Sequence, residues 1–172
     1  MLRFSRPLYA VAALFAVATR ADSAVARDIV RFHDPRIPPG TIVVRTTERK
    51  LYLVTESGQA IRYTVAVGKA GKQWYGLKYV EEMQVQPAWS PPSSVKRDNP
   101  RIPDLIPGGA PNNPMGARAL GLGPGGQYAI HGTNLPQSVG TAASYGCFRM
   151  HNGDIIDLYA RVRLGTPVIV TR

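Results

Sequence analysis

The chain is poor in the residues that proteins use to cross-link themselves or hold metals. It has one cysteine, Cys147, and three histidines among 172 residues. One thiol cannot close an intramolecular disulfide, and one cysteine with scattered histidines cannot complete a four-ligand zinc site. No metal and no cofactor are therefore expected. Long apolar runs are also missing. The longest stretch, Leu8–Thr19, has twelve residues, well short of the roughly 20 needed to span a bilayer. Acidic residues are few, 11 against 21 Lys and Arg, which gives a formal charge of +10. No helix with clustered Lys/Arg accompanies that excess, so nucleic acid is not the expected partner. An anionic cell-wall matrix or a membrane surface suits the charge, and so does plain solubility. There is no internal repeat.

The beginning of the chain has the form of an export leader. Arg3 and Arg6 precede the apolar run, and Ala24-Val25-Ala26 offers a small-residue cleavage site before Arg27. The expectation is a signal peptide over residues 1–26, with a retained anchor as the competing reading, and a periplasmic or cell-envelope location. The remaining 146 residues, with a charge of +8, suit one domain with a single core. Residues 27–40 contain three prolines and no periodicity and read as an extended linker or a strap. Residues 41–172 read as the folded domain.

That domain opens as β-structure. Residues 41–47 and 50–56 are β-branched and aromatic runs separated by a turn at Glu48-Arg49. Residues 59–68 alternate, placing Ile61, Tyr63, Val65 and Val67 on one face. Residues 78–86 form a further candidate strand. Trp89 either packs in the core or walls a groove, and packing is favoured. Residues 93–127 are rich in glycine and proline and read as an irregular segment bordering a site. Asn152 or Asp154 can cap a helix carrying Ile155, Ile156, Leu158, Tyr159 and Val162, which Gly165 ends. Pro167–Thr171 forms a last strand. This is the one convincing helix.

The chemistry concentrates in Tyr128–Asn152, YAIHGTNLPQSVGTAASYGCFRMHN. It holds Cys147 and two histidines, His131 and His151. A cysteine becomes a strong nucleophile as the thiolate, so it needs a base and a positive setting. A lone cysteine or histidine is ordinarily a packed or satisfied side chain. Gly-Cys in a polar loop, however, is poor core material, and His-Gly-Thr-Asn is not a packing motif. Gly146 lets the backbone approach a ligand, so that an N–H beside the nucleophile can face a developing oxyanion.

The sequences His131-Gly132-Thr133-Asn134 and Ser144-Tyr145-Gly146-Cys147-Phe148-Arg149-Met150-His151-Asn152 resemble the L,D-transpeptidase catalytic domain of the YkuD or ErfK type. The resemblance extends through Pro107-Gly108-Gly109, Asn113–Leu120 and Gly165–Val168. It implies a mainly β fold, an antiparallel β-sandwich with one or two short helices. It also implies a cysteine enzyme acting on peptidoglycan. Cys147 would be the nucleophile, His131 the proton donor and acceptor, and Gly132 would orient His131 through its carbonyl. Cys147 would attack the carbonyl of the third stem-peptide residue, meso-diaminopimelate in the usual case, and release D-alanine. An amine would then take the acyl group: another stem peptide, an outer-membrane protein or a D-amino acid.

The neighbouring residues have open roles. Arg149 either supports the thiolate and grips a substrate carboxylate, or makes a structural ion pair. Asn134 is a candidate for substrate binding. Ser144 either bonds within the catalytic loop or simply turns it. Tyr145 stands where the family often has histidine, and shapes the pocket. Trp74-Tyr75-Gly76-Leu77 departs from the family's T-P-x-G-x-F, which leaves substrate contacts there unassigned. His33 has no role. His151, four residues after Cys147, would meet it on a helix, but the helix start lies beyond it, so His131 is the expected base. A cysteine peptidase of the NlpC/P60 type would place its cysteine before its histidine, the reverse of the order here. A hydrolase on the same fold would differ only in letting water replace the amine. A non-catalytic wall-binding module would have no need of the intact Cys147 and His131 pair.

Overall fold

The computed structural model describes residues 28–172 of the protein. The expected leader, residues 1–26, lies outside them. Eleven strands and two α-helices follow one another: β1 (Ile29–Arg31), β2 (Ile42–Arg45), β3 (Lys50–Val54), β4 (Gln59–Thr64), β5 (Val67–Gly68), β6 (Gly76–Val85), α1 (Ser93–Asp98), β7 (Arg118–Leu122), β8 (Tyr128–His131), β9 (Ala142–Ser144), β10 (Phe148–Arg149), α2 (Asn152–Arg161) and β11 (Pro167–Thr171). Nine strands form one sheet in the order β1-β4-β3-β2-β11-β6-β7-β8-β10, and β5 pairs with β9 in a second, two-stranded one. The mainly β fold with two short helices is as expected, and most pairings are antiparallel. Three are parallel: β11 with β2, β10 with β8 and β5 with β9.

The meander β2–β3–β4 is apolar on both faces, which explains its near-continuous runs. Ile42, Val44, Leu51, Leu53, Ile61 and Tyr63 join the main core with Val65, Val67, Val168 and Val170. Val43, Tyr52, Val54 and Ala60 face the other way and are covered by Phe32, with Val30 and Ile37 beside it. The stretch read as linker or strap thus pairs β1 with β4, Ile29 opposite Ile61, and buries Phe32. Arg49 adopts φ +55° in the turn between β2 and β3.

Residues 93–127 are more ordered than their composition suggests, since they hold α1 and β7. Helix α1 buries no residue, so it has no apolar periodicity to betray it. Helix α2 packs Ile155 and Leu158 into the main core, each contributing about 1.5–3 kcal/mol by burial. Ile156, placed by spacing on the apolar face, is exposed. The Tyr63 hydroxyl donates to Asp157 at 2.6 Å and ties α2 to β4.

Candidate active site

The parallel pairing of β8 with β10 builds the site. Phe148 lies opposite Ile130 and Arg149 opposite His131, so the fifteen residues between His131 and Cys147 are closed into one corner of the sheet. Cys147 immediately precedes β10, with the Ala129 backbone of β8 bonding its thiol. His131 ends β8 and is 4% exposed. Its Nδ1 lies 2.7 Å from the Gly132 carbonyl oxygen, and the carbonyls of Pro114 and Met115 also face the ring.

Burial pushes both groups toward their neutral forms. The His131 pKa falls from 6.5 to about 4, through desolvation and then the charge of Arg149, with the backbone carbonyls opposing. Burial raises the Cys147 thiol, while the Ala129 backbone and Arg149 pull it down. Arg149 is itself half-buried; desolvation lowers its pKa and Cys147 opposes that. No carboxylate pairs with Arg149 among the described residues, so the structural ion pair is not found. Its backbone is held by Ala66 in both directions, at 2.8 and 3.1 Å.

The loop before Cys147 is knitted by Ser144. The Ser144 hydroxyl donates to the Cys147 carbonyl at 2.6 Å and accepts the Gly146 N–H at 3.1 Å. Gly146 sits at φ +123°, and a Cβ there would lie 2.6 Å from the Tyr128 ring, so only glycine fits. Gly132 is equally constrained, since a Cβ would meet Asn152 Oδ1 at 2.2 Å. Asn152 does not cap its own helix as expected. Its Oδ1 accepts the N–H groups of Ala117 and Thr133, and its amide donates to the Thr133 carbonyl. It thereby anchors the turn that follows His131.

Cys147 opens into a cavity of about 440 Å³ lined by Lys72, Gln73, Ser93, Ser94, Tyr128 and Tyr145 among others. Tyr145 donates its hydroxyl to Asp98 at the end of α1 and carries Lys69 over its ring at 4.0 Å. The hydrogen bond from Tyr145 lowers the Asp98 carboxyl's pKa, and the charge of Lys69 adds to it. Asn134 is exposed and lines a different hollow of 290 Å³ with Asn152. His151 is exposed and precedes α2. Nothing in the local sequence assigns a role to Trp74, Lys72 or Asp98. All three come from segments whose pairing with the cysteine loop is set by tertiary contacts rather than by any local pattern. No group of three or more His, Cys, Asp or Glu able to hold a metal occurs among the described residues.

The model of the L,D-transpeptidase catalytic domain family matches residues 39–170. The chain belongs to that family. This L,D-transpeptidase domain is 35% identical over 136 residues to the probable L,D-transpeptidase ErfK/SrfK of Escherichia coli, covering 74% of this chain and 42% of that protein. It is 34% identical over 135 residues to the putative L,D-transpeptidase YqjB of Bacillus subtilis, covering 76% and 70%. The chain thus spans less than half of its enteric relative. Among solved structures, an L,D-transpeptidase from Mycobacterium smegmatis superposes with a TM-score of 0.61 at 16% identity, covering 77% of this chain and 58% of that one. The catalytic domain of the Enterococcus faecium L,D-transpeptidase, acylated by ertapenem, superposes at 0.56 and 18% identity, covering 76% and 95%. These likenesses show a shared L,D-transpeptidase fold.

Proposed function

We infer that this domain acts on peptidoglycan stem peptides as a cysteine-dependent L,D-transpeptidase, with Cys147 as nucleophile and His131 as its base. The observation that supports the reading is the pairing of β8 with β10, which runs the strand ending in buried His131 alongside the strand that follows Cys147. A carbonyl only accepts hydrogen bonds, so the Nδ1 facing Gly132 carries the proton. That leaves Nε2 unprotonated and able to accept the thiol proton, with Gly132 fixing the ring.

Both groups rest in neutral form, because burial raises the thiol and lowers the imidazole. Attack therefore runs with proton transfer rather than from a stored thiolate. Sγ of Cys147 bonds to the carbonyl carbon of the third stem residue as its proton passes to His131. Expulsion of D-alanine breaks the C–N bond, and His131 returns the proton to the leaving amine. An acceptor amine then attacks the thioester, gives up a proton to His131 and frees the thiol. Arg149, whose charge reaches both groups, favours negative charge on sulfur and keeps the imidazole neutral.

The acceptor is a second stem peptide in this reading; an outer-membrane protein or water would give different products from the same thioester. An exported, cell-envelope location follows from that substrate and from the leader expected over residues 1–26. Among the described residues no helix is long and apolar enough to cross a membrane.

Ertapenem, which acylates the Enterococcus faecium relative, provides the test. Intact-protein mass spectrometry should show one adduct on the wild type and none on Cys147→Ala. Adducts on both, or on neither, would remove Cys147 as the nucleophile. Mass analysis of muropeptides incubated with the protein then distinguishes cross-linking from hydrolysis.

A further inference from the structure

We propose that Trp74 is a positioning residue that aims the oxyanion-stabilising N–H of Cys147. This rests on the reading of Cys147 as nucleophile. The Trp74 indole N–H donates to the Gly146 carbonyl at 2.9 Å, across 72 residues of sequence. That carbonyl and the Cys147 N–H belong to one peptide unit. A trans peptide is planar, and its C=O and N–H point in opposite directions. Holding the carbonyl toward Trp74 therefore turns the Cys147 N–H away from the indole.

The other candidate donor in the loop is already engaged, because the Gly146 N–H bonds the Ser144 hydroxyl. The Cys147 N–H has no acceptor among the described residues. It is adjacent to the nucleophilic sulfur, where a carbonyl under attack would place its developing negative charge. Gly146 at φ +123° has a conformation with little steric hold of its own. The Gly146–Cys147 peptide plane therefore depends on Trp74 for its one direct hydrogen bond, while Ser144 holds the peptide units on either side of it.

Trp74 is in turn fixed. Its ring stacks on Tyr128 at 4.9 Å and 27° and leans on Phe148 at 5.6 Å. The ammonium of Lys78 lies 5.5 Å from both the Trp74 and Tyr128 rings. Tyr128 and Phe148 belong to β8 and β10, so the indole is referenced to the same strand pair that carries the chemistry. The indole N–H is thus satisfied by the one peptide unit that carries the Cys147 N–H.

The test separates the N–H from the ring. Trp74→Phe keeps an aromatic ring without the donor. Replacing Trp74 with 3-benzothienylalanine keeps the full indole shape, with sulfur in place of N–H, and guards against a failure of the phenylalanine variant to fold. Each protein is reacted with ertapenem, where Sγ bonds to the lactam carbonyl, the ring C–N bond breaks and the thiol proton passes through His131 to the released nitrogen. Each is also alkylated with iodoacetamide, a displacement that develops no oxyanion.

Both variants should be acylated about 10-fold more slowly, below the roughly 10²–10³-fold cost of deleting an oxyanion donor outright. Alkylation should stay within about two-fold of wild type. The thioester carbonyl stretch of the acyl-enzyme should move to higher wavenumber by infrared difference spectroscopy, as a carbonyl released from a donor does. Unchanged acylation and carbonyl frequency in the benzothienyl protein would overturn the proposal, and so would equal slowing of acylation and alkylation. A wild type that is not acylated at Cys147 would instead remove the underlying reading of the site.

Discussion

Replacing His131 by glutamine should flatten the acid side of the stability curve. In the unfolded chain the imidazole takes up its proton near 6.5, but in the folded protein burial and Arg149 hold it off until about 4. Between those values the unfolded state binds more protons, so stability rises with pH across that window. The contribution is fully present above about pH 6.5 and is lost progressively down to pH 4. A separation of about two and a half pH units, at roughly 1.4 kcal/mol each, gives a loss on the order of 3 kcal/mol. Carboxylates such as Asp34 and Asp98, held below their ordinary range by hydrogen bonds, also lose stabilising contacts on acidification. They do so equally in wild type and variant, so the difference isolates His131. Urea unfolding followed by tryptophan fluorescence at pH 4, 5, 6 and 7 reads it directly. Wild type should lose about 3 kcal/mol more than His131→Gln between pH 7 and 4. Parallel curves would mean that the folded imidazole protonates as freely as the unfolded one, and the argument from burial would fail.

Other consequences can be checked separately. His131→Ala should slow ertapenem acylation by about 10²–10⁴-fold, whereas His151→Ala, at an exposed position, should change it far less; stopped-flow rates with a larger loss at His151 would reverse the assignment. Arg149→Gln removes the charge that favours the thiolate, so the pH midpoint of iodoacetamide alkylation should move up; an unmoved or lower midpoint would deny Arg149 that role. Asn152→Ala strips three hydrogen bonds from the turns at Ala117 and Thr133 and should cost about 2–3 kcal/mol. A loss under about 0.5 kcal/mol in urea titration would show those turns hold themselves.

Much of the fold is legible in the sequence because it depends on local patterns. Strands β2, β3 and β4 and helix α2 lie within or close to the stretches that alternation, β-branching and helical spacing mark out. Helix α1 and strand β7 are not legible. The first buries nothing, and the second is five residues containing a glycine, Arg118–Leu122, amid turn formers. The family motif is what singles out Cys147 and His131, and the register of β8 with β10, Arg149 opposite His131, brings their two segments together. Asn152 misleads, because a helix-start asparagine reads as a cap while its actual partners lie 35 and 19 residues away. The role of Trp74 has no local signature at all, since its acceptor is 72 residues distant.

The position of β11 bears on how the protein assembles. It is the last strand in chain order, yet it lies inside the sheet, between β2 and β6. Val168 pairs with Ile42 on one side and Lys78 on the other. Without it the sheet separates into a meander, β1 to β4, and a half that carries the cysteine corner. Closing so long a loop is entropically costly and slows folding. Within the nine-stranded sheet β11 is thus the link between the two halves, which also meet through β5 with β9 and through Ala66 with Arg149. Pulse-labelled hydrogen exchange during refolding should show β2, β6 and β11 gaining protection together; early protection of β6 alone would show that the two halves fold independently.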